Sequence, residues 1–255
     1  MQDFTGSGAV VTGGASGLGA ATASLLAKNG IDVTLFDLNE QAGEALASKI
    51  GAQFLRVDVC DPQSVAHGVD AAEKANGVTR ILANCAGIGG AAKTVSRGAA
   101  HDPALFERTL HVNLMGTFNC ASQIAARMVT ADPIDADGAR GVIINTASVA
   151  AFDGQVGQVA YSASKGGIVA MTLPMARDLA DKGIRVNTIA PGLFLTPLLD
   201  ELPPKVQESL GRQVPFPSRL GHPEEYAQTV FHITQNKMLN GETIRLDCAI
   251  RMAPR

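Results

Sequence analysis

Short runs rich in β-branched residues recur along this chain, at 8–11, 31–36, 53–57, 80–83, 141–145, 184–189 and 243–246. Between the first six lie longer Ala-rich segments with helical patterning, notably 18–29, 40–50, 62–75, 104–129 and 159–182. This alternation constrains the fold more than any other feature. Each helical segment is a crossover, which returns the chain to start the next strand parallel to the last. The fold class is therefore α/β, a doubly wound, seven-stranded parallel sheet with helices on both faces, in strand order 3-2-1-4-5-6-7. The run GVIIN at 141–145 is nearly all apolar, as a strand buried on both faces must be. No linker divides the chain, so residues 1–255 are expected to form a single domain.

Composition excludes several functions. A hydrophobic share of 46% is too high for disorder. With 21 basic against 24 acidic residues the net charge is -3, which argues against a nucleic acid or an anionic membrane as the main partner. No stretch approaches the roughly 18 apolar residues that span a bilayer. The start, MQDFTGSG, has no basic region followed by an apolar run, so a cytoplasmic location is expected. Cys60, Cys85, Cys120 and Cys248 are too widely spaced for a CxxC pair; they are expected to be buried thiols, with no metal. Three stretches read as irregular: 87–103, 130–140 and the proline-rich 191–221, within which 193–217 is the expected substrate lid.

The first strand runs into TGGASGLG, Thr12 to Gly19. Glycines at Gly13, Gly17 and Gly19 let the backbone turn sharply and approach a pyrophosphate, and the next helix presents its N–H groups to it. No Lys follows the last glycine, so this is not a P-loop. Asp37 ends the second strand 18 residues later. A carboxylate there can accept ribose hydroxyls and repels a 2′-phosphate, which favours NAD over NADP. Asp58 and Val59 end the third strand, within reach of an adenine. Asn84, Cys85, Ala86 and Gly87 form the turn after the fourth strand, across the switch point from the first. Together these features read as a dinucleotide-binding Rossmann fold, with ordinary structural turns or helix caps as the alternative at each position.

Tyr161 and Lys165 are four apart in a helical segment and share one face. A free phenol has a pKa of about 10, too high for a base at neutral pH, and a nearby cation favours its ionised form. Ser148 lies just past the fifth strand and can donate to a carbonyl oxygen in the same cleft. Taken separately, the pair fits the surface of an amphipathic helix and the serine fits a strand-end turn.

In combination these motifs resemble the short-chain dehydrogenase/reductase family: TGxxxGxG at Thr12–Gly19, NxAG at Asn84–Gly87, Asn113 in HVNLMGTF, Ser148, YxxxK at Tyr161 and Lys165, and Pro191-Gly192 followed by Thr196. The resemblance covers nearly the whole chain. Within the family, stretches such as NLMGTFN and QVPFPSRLG, with the two extra loops at 88–103 and 130–140, resemble a subgroup acting on 3-hydroxyacyl-CoA. The resemblance implies a homotetramer that moves a hydride between NAD and a secondary alcohol or ketone. It carries over Gly13, Ser16, Gly17, Leu18, Gly19, Asp37, Asp58, Val59, Asn84, Cys85, Ala86, Gly87, Tyr161, Lys165, Pro191, Phe194 and Thr196 as cofactor contacts. Ser148, Gln155 and Tyr161 carry over as substrate-facing. In that scheme Tyr161 takes the alcohol proton, Ser148 bonds the developing carbonyl, Lys165 lowers the phenol pKa and binds ribose, and Asn113 holds a water. A hydroxysteroid dehydrogenase, an acyl-carrier reductase, and an NAD-binding sensor or scaffold without turnover remain alternatives. Two departures stand out: Cys85 within NCAG, and Asp247-Cys248-Ala249 where many relatives have Asp-Gly-Gly.

Overall fold

The computed structural model describes residues 1–196 and 203–254. Its main sheet contains β1 (Gly8–Thr12), β2 (Asp32–Asp37), β3 (Gln53–Arg56), β4 (Thr79–Asn84), β7 (Gly141–Thr146), β8 (Ile184–Pro191) and β9 (Thr243–Leu246). All neighbouring pairs are parallel, in the order β3-β2-β1-β4-β7-β8-β9. This is the expected doubly wound sheet, and its order reverses between β1 and β4. A crevice opens there at the carboxyl ends of the strands.

Alternation along each strand sends side chains into two cores. Ala9, Val11, Ile81, Ala83, Val142 and Ile144 face helices α1 (Gly17–Lys28) and α8 (Pro223–Gln235), joining Leu26, Tyr226, Val230 and Ile233. Val10, Leu82, Ile143 and Val186 face the other way, where α3 (Pro62–Asn76), α5 (Gly116–Thr130) and α6 (Val159–Asp178) cover them. Glycines let the layers close: a Cβ on Gly116 would stand 2.6 Å from Val59 Cγ2.

Several sequence readings need correction. The segment 104–129 is not one regular helix: α4 (Pro103–Leu110) passes through a π-turn, His111–Met115, into α5. Within 87–103 there is a small antiparallel hairpin, β5 (Val95–Ser96) with β6 (Ala99–Ala100). The expected lid contains a helix, α7 (Pro204–Gly211), while its residues 197–202 lie outside the described residues. Helix α8 was assigned by no periodicity. β3 ends at Arg56, so Asp58 and Val59 sit in the turn beyond it. Cys120 is buried, but Cys248 is exposed.

Candidate active site

The glycine turn is shaped by close approach. Gly13 and Gly17 adopt φ of 61° and 51°, in the left-handed region. A Cβ on Gly13 would lie 2.8 Å from the Ala86 backbone, and one on Gly19 would lie 2.1 Å from Gly13 O. Ser16, the N-cap of α1, makes no side-chain cap bond, and the first turn of α1 carries no acid. The positive end of that helix dipole therefore has no protein anion in its first turn. Opposite, Thr12 Oγ1 accepts from both Cys85 N and Ala86 N at 3.1 Å, which fastens the NCAG turn to β1.

Asp37 lies at the end of β2, half-buried, where its carboxylate accepts from Ala15 N and Asn39 N, each at 3.0 Å. It is thus fixed at the rim of the glycine turn. Asp58 Oδ1 accepts from Cys60 N at 2.9 Å, and Val59 is packed on α5 with 8% exposure. Leu18 packs on the α1 side of the core.

Other predicted contacts point into the protein. The Asn84 amide donates to Asn145 Oδ1 at 3.0 Å and Thr117 O at 3.3 Å, tying β4, β7 and α5 together. The buried Asn113 Oδ1 accepts from Ile88 N at 2.8 Å, while its Nδ2 donates to Ile88 O and to Ser164 Oγ, both at 3.0 Å. Its side chain is thereby committed to protein partners. Phe194 is a core residue, 7% exposed and bridged to Gly221 beside Pro191-Gly192. Thr196 is half-buried. Gln155 Nε2 donates to Ala253 O at 2.8 Å.

Ser148, Tyr161 and Lys165 converge at the carboxyl edge of β7. The Ser148 hydroxyl accepts from Ala150 N at 3.1 Å and is a hydrogen-bonding neighbour of the Tyr161 phenol. Lys165 reaches from the next turn of α6, with its Nζ 5.8 Å from the Tyr161 ring centre. Burial lowers the amine to about 8, and it donates to Thr146 O at 2.8 Å. Burial raises the Tyr161 phenol above its ordinary value, and Ser148 offsets only part of that. The expected cationic lowering of the phenol by Lys165 is therefore outweighed by burial. At that separation desolvation wins, because the ammonium is spent on a carbonyl.

Three residues missed in the sequence complete the site. Thr146 supplies the carbonyl that seats Lys165, and its hydroxyl donates to Asn84 O at 2.5 Å. Tyr226, fully buried on α8, hydrogen-bonds Thr146 Oγ1 at 2.6 Å and lies 3.8 Å from Cys85 Sγ. Ser164 links Asn113 to Tyr161 O, to which it donates at 2.7 Å. A buried Thr or Tyr inside an apolar run carries no pattern that distinguishes it from core.

The family model for short chain dehydrogenases matches residues 7–207. A 3-hydroxyacyl-CoA dehydrogenase type-2 from Homo sapiens is 57% identical over 250 residues, covering 96% of this chain and 95% of that protein. The Bos taurus protein of the same name is 55% identical with the same coverage. The crystal structure of 3-hydroxyacyl-CoA dehydrogenase type-2 from Mycobacterium avium superposes with a TM-score of 0.96 at 39% identity, covering 100% of both chains.

Proposed function

The chain belongs to the short chain dehydrogenase family, and from that premise we propose that it interconverts (S)-3-hydroxyacyl-CoA and 3-oxoacyl-CoA, with NAD as its cofactor. It is an oxidoreductase, and its family uses a nicotinamide cofactor. The residues present fit such a group: a Cβ on Gly13 would strike the Ala86 backbone and one on Gly19 would strike Gly13 O, so glycine is what lets the turn close against the start of α1, and the α1 dipole lacks an acid in its first turn. Gly13, Gly17, Gly19 and the NCAG turn would hold the pyrophosphate side, Asp37 the adenosine ribose, and Lys165 with Tyr161 the nicotinamide ribose. Bound there, the nicotinamide supplies the hydride acceptor or donor.

The convergence of Ser148, Tyr161 and Lys165 beside the glycine turn carries this reading. Tyr161 takes the alcohol proton during oxidation and returns it during reduction. Ser148 donates to the substrate oxygen as it becomes a carbonyl. Lys165 orients the ribose, its amine seated by the bond to Thr146 O.

Asp37 supports NAD over NADP. A 2′-phosphate would meet a fixed carboxylate, and no Lys or Arg occurs in residues 12–27. A preference of at least tenfold in kcat/KM is expected, which needs only about 1.4 kcal/mol. Asp37→Ala should narrow it, and equal kcat/KM for the two cofactors in the unsubstituted enzyme would remove Asp37 from the reading. The substrate class is tested by following NADH absorbance with acetoacetyl-CoA, a hydroxysteroid and small alcohols. Turnover of the thioester is expected; turnover of the steroid alone would make the chain a hydroxysteroid dehydrogenase instead. The chain is also proposed to act as one domain, in the cytoplasm, as a homotetramer. Among the described residues no helix is long and apolar enough to cross a membrane.

A further inference from the structure

Strand β9 and the residues after it make contacts that the hydrogen-transfer chemistry does not call for. Arg245 Nη2 donates to Asp153 Oδ2 at 2.6 Å and to Ile250 O at 3.1 Å, and its Nε donates to Asp247 Oδ2 at 2.8 Å. The same guanidinium lies 5.1 Å from the centre of the Phe152 ring. These groups are largely withdrawn from water: the Arg245 and Asp153 side chains are 21% and 20% exposed, and that of Asp247 is 7% exposed. Such a forked, partly desolvated pair holds geometry far better than an exposed one. The guanidinium keeps the Asp153 carboxyl below the ordinary carboxylate range.

From this anchor the chain runs back along residues 152–158. Gln155 Nε2 donates to Ala253 O at 2.8 Å, and Val156 N donates to Pro254 O at 3.0 Å. The clamped residues 154–158 form one wall of a surface pocket of about 520 Å³, which Lys93, Thr94 and Val95 also line. Ser162, the neighbour of Tyr161, lines it too. Gly154 presses on that residue so closely that a Cβ would stand 2.3 Å from Ser162 Oγ. The wall is therefore held from behind by residues 247–254 and abuts the turn of α6 that carries the phenol.

We propose that residues 247–254 form a strap, anchored by Arg245, that positions the 152–158 wall of the substrate entrance and thereby sets substrate affinity. Arg245 is a positioning residue here: it acts through Asp153 and the strap, and its contacts are to protein. The proposal rests on the acyl-CoA reading above, and it assigns Gln155 to the entrance wall with its amide engaged by Ala253.

The test compares the unsubstituted enzyme, a chain ended after Arg251, and Arg245→Met, with acetoacetyl-CoA as the probe. The shortened chain loses the Ala253 and Pro254 carbonyls but keeps the Arg245 cluster. In both variants KM for acetoacetyl-CoA should rise at least fivefold, while kcat stays within about twofold. The Kd for NADH, read by fluorescence titration, should be unchanged. Arg245→Lys should recover part of the lost affinity by restoring the charge. If the shortened chain keeps KM within twofold, or loses NADH affinity by the same factor as KM, the strap is overturned. Should Arg245→Met fail to fold, the shortened chain decides alone. If the unsubstituted enzyme does not reduce acetoacetyl-CoA at all, the substrate reading fails, and the strap with it.

Discussion

At Lys165, burial and function pull in opposite directions. The amine falls from 10.5 to about 8 because it is desolvated. Between these values the unfolded chain binds more protons than the folded one, so this group makes stability rise with pH from about 8 to 10.5. Below about 8 the full penalty applies, on the order of 3 kcal/mol. Replacing the amine forfeits the bond to Thr146 O, worth about 1 kcal/mol. Lys165→Met should therefore melt at a higher temperature than the parent at pH 7, with an advantage that shrinks as pH rises from about 8 to 10.5, while losing activity. A parent that is at least as stable at pH 7 would contradict the desolvation account. For Tyr161→Phe, kcat should fall at least 10²-fold with NADH binding nearly intact, since general acid–base catalysis is worth about 10²–10⁴. If it keeps more than a tenth of the parent kcat, Tyr161 is not the base. Burial also raises both tyrosines of the chain, Tyr161 and Tyr226. Ultraviolet titration of the cofactor-free enzyme should accordingly show neither ionising at the ordinary phenol pKa, and adding NAD should bring one ionisation down, absent in Tyr161→Phe. The Tyr161 and Lys165 pair was legible because four-residue spacing on a helix is a local signal. Tyr226 was not, because its partners Thr146 and Cys85 are 80 and 141 residues away.

Among the elements, the turn after β9 carries strain that its sequence explains. Cys248 and Ala249 both adopt left-handed backbone, with φ of 51° and 64°, a region that glycine enters without a Cβ penalty. The left-handed conformation costs a residue with a Cβ roughly 1–2 kcal/mol, partly offset by the extra freedom glycine has when unfolded. Cys248→Gly should stabilise the protein by about 0.5–1 kcal/mol in urea denaturation, with the m-value unchanged. A lower midpoint would mean that the Cys248 side chain contributes more than its backbone costs. The main strands were readable because the two-sided sheet demands long apolar runs, and their edges moved by only a residue or two. The hairpin at Val95–Ser96 and Ala99–Ala100 escaped notice because its four residues are exposed and show no apolar alternation. Helix α8 escaped because its Pro223 start follows the proline-rich stretch, which reads as one long loop. The π-turn at His111–Met115 left no mark in composition, since it changes hydrogen bonding and not the apolar face.

For the molecule as a whole, the helical layer leaves several large apolar side chains exposed. Met115 at the end of the π-turn, Phe118 on α5, and Val159 and Leu173 on α6 are 42–45% exposed, apolar surface that soluble monomers seldom leave bare. Light scattering at micromolar concentration should give about four times 26.4 kDa, and a mass near a single chain would contradict the tetramer. The order of functions along the chain has a further consequence. The glycine turn, Asp37 and the NCAG turn all lie before residue 88, whereas Arg245 and the segment after it close the substrate entrance from the last strand of the sheet. A ribosome therefore delivers the first parts of the proposed cofactor site well before the strap behind the 152–158 wall. A chain interrupted before β9 would thus carry every residue proposed to hold the cofactor and lack the anchor proposed for the 152–158 wall.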